Sequence, residues 1–354
     1  MKKLISALLI SSMLVSVLIG CSSNTKTPDV QAGSNSSQPT AEPGSDTVYT
    51  IRIGHTCADS HPYQAGALKF KELVEEASNG RLKVEIYPSA QLGNERDMVE
   101  GLQAGTLEMT VVSIGTAASF LEGCDMFNLP FVFSSTQQFL DVIYGDIGAD
   151  FISHVDGTNG LKVMSIGYPV FRIPFSNSGP WVTLEDFKGM KIRTQEVNAH
   201  MDAYAAIGAA PTPMASSEQH VAYQTGALNG GENSITTIYS EKYYESCPDI
   251  TLLPVICGGA FWLMSESFFE SLPADLRQII DDNTETFSKY CDDLTIEGES
   301  NLRTEIEADG GVFHEVSPDE AARIQEAAAP VIEKYKKELP DWTAELLAQI
   351  LTMA

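Results

Sequence analysis

Hydrophobic positions alternate over Thr47–Ile53, where Tyr49, Ile51 and Ile53 share one face, and again at Leu82, Val84 and Ile86, a run that Pro88 ends. Both stretches predict β-strands. Between them, Tyr63, Ala67, Phe70, Val74 and Ala77 fall at helical spacing behind Pro62, a residue suited to a first helical turn, and Gly80 stops the run. A second helix opens over Gln91–Arg96 and runs to Ala104, and Leu107–Val112 reads as a third strand. This β-α-β-α-β order predicts a parallel sheet with helices on both faces.

Asp125–Phe133 is an apolar segment, Thr136–Tyr144 a short helix, and Leu161–Ile166 a strand continuing through Tyr168–Phe171 to Arg172. We place a crossing into a second lobe there. Thr183–Lys188 predicts a capped helical turn, and Gly189 can take the positive φ that stops it. The strand that follows puts Lys191 and Arg193 on one face and Ile192 on the other. Asn198–Ile207 and Ser217–Thr225 read as helices, Asn229–Asn233 as a glycine turn that lets backbone approach a ligand, and Leu252–Val255 and Phe261–Met264 as strands returning to the first lobe. Pro273–Asp309 predicts a helix some 50 Å long, which either braces both lobes or breaks at Gly298. The last stretch, 318–353, is amphipathic and split at Pro340. These readings place 47–169 with 258–298 in lobe I, and 170–257 with 299–354 in lobe II.

The start of the chain is different in kind. Lys2 and Lys3 precede an apolar run, Leu4–Ile19, and Leu18–Ile19–Gly20–Cys21 resembles a lipobox. The run is short for a membrane span, so residues 1–20 read as a lipoprotein signal peptide and Cys21 as the lipidated N-terminus. Residues 21–46, rich in Ser, Thr, Pro, Gln and Asn and without an aromatic, read as a disordered tether reaching on the order of 25–30 Å. The expected location is extracytoplasmic, on a lipid anchor at the cell membrane.

Charge narrows the partners. The 354-residue chain carries a formal net charge of −26, which argues against nucleic acid and against electrostatic docking on anionic lipid. An anionic ligand then needs a local positive spot. Arg172, between Phe171 and Ile173, and Arg193, after Ile192, have flanks too apolar for a solvated surface. In open α/β sheets ligands sit at strand carboxyl ends, and a guanidinium there offers a planar fork to a carboxylate. Five cysteines follow Cys21, with no zinc spacing. Cys247 and Cys257 are the nearest couple for a disulfide, though most read as small buried residues. His55, Cys57, Asp59 and His61 match no metal motif, and no catalytic set stands out. No metal and no cofactor is expected.

A resemblance then becomes specific. The segments GHTCADSHPYQAGALKFKELVEEASNGRLKVEIYPSAQLGNERDMVEGLQAGTLEMTVV, NLPFVF, FRIPFSN, DFKGMKIRTQ, GAAPTPM and GGENSITTIY occur in this order. Together they resemble the solute receptors of TRAP (tripartite ATP-independent periplasmic) transporters, in the dicarboxylate-receptor family, from about residue 48 to beyond 300. The resemblance implies an α/β, two-lobe periplasmic-binding-protein fold, type II-like, with a cleft between lobes that closes on a small organic acid. It implies a bidentate grip on the ligand carboxylate by Arg193, help from Arg172, and orientation of the ligand by Asn233. By position it adds His55, Glu95 and Ser113 from the first lobe. It also implies delivery to a TRAP membrane permease, without chemistry on the ligand. Two departures fall in the pocket wall: Asn229 and Ser234 replace the Asp and Pro of the usual Asp-Gly-x-Glu-Asn-Pro, and Val170–Phe171 replaces the usual Asn-Gly. The alternatives are an ABC-type receptor lipoprotein and a secreted hydrolase using Cys57 or His55.

Overall fold

The structure, a computed structural model, describes residues 47–353. The signal peptide, Cys21 and the whole tether lie outside the described residues. The alternating stretches at the start form β1 (Tyr49–Gly54), β2 (Leu82–Tyr87) and β3 (Met109–Ser113), joined by α1 (Pro62–Ala77) and α2 (Glu95–Gln103). β1 pairs parallel with both β2 and β3, as the element order predicts. Consecutive Val111 and Val112 enter different core clusters, one with Ile51, Val84 and Trp262, the other with Phe127, Phe139 and Phe151. Both faces of this sheet are therefore covered, as a parallel sheet requires.

After α3 (Ile114–Ala117), α4 (Thr136–Ile143) and α5 (Asp146–Val155), the 16-residue β4 (Leu161–Ser176) leaves this sheet and enters the second. There it meets β5 (Lys191–Thr194), α6 (Asn198–Ala206), β6 (Ala210–Pro213), α7 (Gln219–Gln224), β7 (Gly230–Asn233), α8 (Ile235–Ser240) and β8 (Asp249–Leu252). The return strand β9 (Ile256–Ser265) starts five residues earlier than Phe261, the expected start, and pairs antiparallel with both β3 and β4. The strand order is β2-β1-β3-β9-β4-β7-β5-β6, with β8 beside β4. The two-lobe α/β architecture thus stands, but on a mixed sheet.

Three expectations change. Gly230 and Gly231 do not form a ligand-approaching turn. They belong to β7, where an added Cβ would lie 2.0 Å from the Phe175 carbonyl oxygen and 2.1 Å from the Tyr223 hydroxyl. The glycines thus admit neighbouring strand and helix. No disulfide forms among the described residues, because Cys57, Cys124, Cys247, Cys257 and Cys291 are all free and buried. Past α9 (Glu266–Ser271), α10 (Ala274–Ala308) runs unbroken for 35 residues through Gly298, where a Cβ would meet nothing. It buries Phe287 and Cys291 in the first lobe's core and packs Ile306 with Tyr244 and Ile250 in the second, so it braces both. After β10 (Val312–Glu315), which pairs with β8, α11 (Pro318–Glu338) and α12 (Asp341–Thr352) return across the molecule. α12 packs Leu346, Leu347 and Ile350 with Phe127 and Phe151, although 299–354 was expected against the second lobe.

The crossing in β4 carries a backbone signature. Its register with β9 shifts between Gly167 and Val170, and Tyr168 takes φ 62°, a conformation that costs a non-glycine residue about 1–3 kcal/mol. Asp292 of α10 compensates. Its carboxylate accepts the Tyr168 N–H at 2.6 Å and the Tyr144 hydroxyl at 2.6 Å. A Cβ on Gly167 would lie 2.7 Å from the same carboxylate, which explains the glycine. Burial pushes the Asp292 carboxyl up to about 6.

Candidate functional site

A cavity of about 40 Å³ lies where the lobes face each other, and residues of both line it. An outer recess shares Glu95, Arg193, Gln195 and Ser216 with it. β5 delivers Arg193, because Ile192 fills the opposite face in the second-lobe core. Arg193 is 2 % exposed. Its Nε and Nη2 donate to the Met214 carbonyl at 2.9 and 2.6 Å. That fixes one edge of the guanidinium and leaves three of its five N–H groups, with the Nη1–Nη2 end, for something else. Among the described residues it forms no ion pair. In an acidic chain it is thus a buried cation held by one carbonyl.

Arg172 lines the same cavity but is differently occupied. Its Nε donates to Glu232 Oε2, and its Nη2 to Glu232 Oε1 at 3.1 Å and to the Glu232 carbonyl at 2.9 Å. β4–β7 pairing sets this up, since Ile173 faces Asn233 and Pro174 faces Glu232. Gly258 completes it, because a Cβ there would press on the Arg172 stem at 3.1 Å. Burial alone would raise the Glu232 carboxyl, but Arg172 and then His200 hold it down at about 2. His200 Nδ1 stands 3.7 Å from Glu232, too far for a hydrogen bond, while its Nε2 pairs with Asn128 at 3.0 Å. Burial lowers its basicity. The expected pair of free arginines is therefore one free and one internally neutralised.

Asn233 also lines the cavity. Its side-chain oxygen accepts the Ser234 N–H at 3.0 Å, which leaves its NH₂ as the available donor. From the first lobe come Glu95, the first residue of α2, and Ser113, the N-cap of α3. Glu95 accepts the Ser113 N–H at 3.1 Å, the Ser113 hydroxyl at 2.6 Å and the Thr116 hydroxyl. Its carboxylate is thus fixed at the cavity wall. His55 is placed elsewhere. It is buried behind the wall, bonded to Gln64 at 2.9 Å, and its neighbours Thr56 and Cys57 line the cavity instead. Burial pushes the Cys57 thiol well up, the reverse of what a nucleophile needs.

Several lining residues escaped the sequence reading. Gln195 lies two residues beyond Arg193, and its Oε1 approaches Gly115, where a Cβ would sit 2.2 Å away. Period two on a strand was the available signal for it. Tyr168 and Thr237 gave none. Tyr168 OH reaches His61 Nε2 at 2.9 Å and Ser234 Oγ at 3.1 Å, and His61 Nε2 stands 3.3 Å from Thr237 Oγ1, so this buried network spans the crossing. The N-cap bond from Tyr63 N–H to His61 Nδ1 fixes that ring with its proton on Nε2. A second bond between the lobes joins Ala58 N–H to Glu241 at 2.9 Å.

A family model described as bacterial extracellular solute-binding protein, family 7, matches residues 53–338. The chain is 30% identical over 285 residues to the C4-dicarboxylate-binding periplasmic protein DctP of Rhodobacter capsulatus, covering 79% of this chain and 84% of that protein. The crystal structure of a sugar acid binding protein from Advenella mimigardefordensis in complex with galactonate is similar at TM-score 0.83 and 25% identity, covering 87% of this chain and 99% of that one. A TRAP periplasmic solute binding protein from a Polaromonas species, bound to D-erythronate, is similar at TM-score 0.80 and 28% identity, covering 85% of this chain and 98% of that one.

Proposed function

This chain belongs to the bacterial extracellular solute-binding proteins of family 7, and on that premise we propose that it grips a small organic acid by its carboxylate on Arg193 and delivers it to a TRAP membrane permease. It is a TRAP solute-binding protein, a receptor and not an enzyme. One observation carries the finer reading: the buried, clamped Arg193 guanidinium that meets no carboxylate among the described residues. Asn233 would donate to the same carboxylate or to a neighbouring hydroxyl. Arg172, charge-balanced by Glu232, would add hydrogen bonds without adding net charge. Glu95 and Ser113 would meet the other end of the ligand. His55, behind the wall, would act only by shaping the loop that carries Thr56 and Cys57. Contacts made with both lobes at once, present only in the closed form, would drive closure.

The screen that tests this reading measures melting temperature against keto acids, aldonates, uronates, sialic acids and C4-dicarboxylates. A ligand at 100 times its dissociation constant adds about 2.7 kcal/mol of apparent stability. Absence of any stabilising acid across these classes, at millimolar concentration, would sink the assignment of an organic acid.

The lipid anchor belongs to the same proposal, resting on Lys2, Lys3 and the Leu18–Cys21 box. Among the described residues no helix is long and apolar enough to cross a membrane. Cys21→Ala should move the protein from the membrane to the soluble fraction with its ligand affinity unchanged. Retention of the unlipidated variant on membranes would contradict the anchor.

A further inference from the structure

The charges that face the cavity add up to a constraint on the ligand. Arg172 and Arg193 bring two positive charges to it. Glu232, 0 % exposed and locked on Arg172, cancels one. Glu95, held at the wall by Ser113 and Thr116, supplies a second negative charge on the first-lobe side. The other titratable groups on the lining are Cys57, Tyr63 and Tyr168, and burial drives all three above their ordinary values, so they stay neutral. His200, behind Glu232, has its basicity lowered by burial. The outer recess adds Arg96 and Glu196, both exposed and again one of each sign.

From this balance we infer that the ligand is a monocarboxylate whose far end carries hydroxyl groups, and that Glu95 excludes dicarboxylates. The inference rests on the Arg193 anchor proposed above. One carboxylate pairs with the one uncompensated guanidinium. A second carboxylate at the other end of a short acid would come up against Glu95, a carboxylate that already accepts three hydrogen bonds. Burying that second charge beside a like charge is costly. A hydroxyl at the same place donates to Glu95 and is accepted. This sets the chain apart from its C4-dicarboxylate-binding relative.

The test uses matched pairs that differ only in whether the far carbon is CH₂OH or carboxylate, or methyl or carboxylate: erythronate with meso-tartrate, galactonate with galactarate, and butyrate with succinate. Calorimetric titration of the intact chain should show the monocarboxylate tighter by about tenfold or more in every pair that binds. Glu95→Gln should narrow that ratio, chiefly by strengthening the dicarboxylate. The wild-type ratio stands as a result even if the variant folds poorly. The inference is overturned if any dicarboxylate binds as tightly as its partner, if Glu95→Gln leaves the ratio unchanged, or if no member of any pair binds. An equal-affinity result in which Arg193→Ala still abolishes binding overturns only the exclusion by Glu95. Binding that survives Arg193→Ala overturns the anchor itself.

Discussion

Arg193→Ala should bind its organic acid about 30- to 4,000-fold more weakly than wild type, the equivalent of about 2–5 kcal/mol for losing one partner of a buried charge pair. Arg193→Lys should fall between the two. The lysine keeps the charge but offers a point ammonium where the native fork presents parallel N–H groups already oriented by the Met214 carbonyl. Stability should respond quite differently. Without ligand, the native guanidinium is a buried cation that no described residue neutralises, so removing it relieves desolvation while depriving one carbonyl of its donors. These effects oppose each other, and the ligand-free melting temperature of Arg193→Ala should stay within a few degrees of wild type. The combination identifies a binding residue: a large loss of affinity beside a small change in apo stability. A surface arginine would lack the loss of affinity, since exposed pairs are worth about 0–1 kcal/mol. Calorimetry with the best acid from the screen decides it. Wild-type affinity in Arg193→Lys would refute the bidentate grip, and wild-type affinity in Arg193→Ala would remove the residue from the site.

The sequence made the first lobe legible because its signals are local. Alternation in β1 to β3 and helical spacing in α1 each report burial directly, and their order dictates the parallel pairing. Arg193 was legible for the same reason, as a charge with an apolar partner face in a strand. What stayed hidden depends on contacts between distant segments. Gly230 and Gly231 look like a turn until β4 and α7 are brought within 3 Å of where their side chains would be. The neutralisation of Arg172 is set by residue 232, 60 positions away, through strand register. His55 has the polar character of a ligand contact, yet Gln64 draws it behind the wall. The five-residue early start of β9 was missed because Ile256–Ala260 contains two glycines, and its burial on all sides erases alternation.

Glu232→Ala should be among the most destabilising substitutions in the chain, costing about 3–5 kcal/mol, because it leaves the Arg172 guanidinium buried without its counter-charge. The physical content lies in the pair. Arg172→Met combined with Glu232→Leu removes both charges, so the double variant should be more stable than Glu232→Ala alone and far more stable than the sum of the single changes. Acid titration supplies an independent check. In the folded state Glu232 is held at about 2, below the ~4.3 of an unfolded glutamate. Its contribution is therefore fully present above the unfolded value and is lost as pH falls from about 4.5 towards 2. Asp292 has the opposite sign. Burial raises it to about 6, above the ~3.9 of an unfolded aspartate. The stability linked to it is present below that unfolded value and lost as pH rises through 6. The two windows barely overlap. Unfolding measured from pH 2 to 7 should then show Glu232→Gln flattening only the limb below about 4.5, and Asp292→Asn flattening only the limb between about 4 and 6. If Glu232→Gln leaves the acid limb as steep as wild type, or if its loss of stability simply adds to that of Arg172→Met, then Glu232 does not neutralise Arg172. The count of charges facing the ligand would have to be redone with Arg172 free.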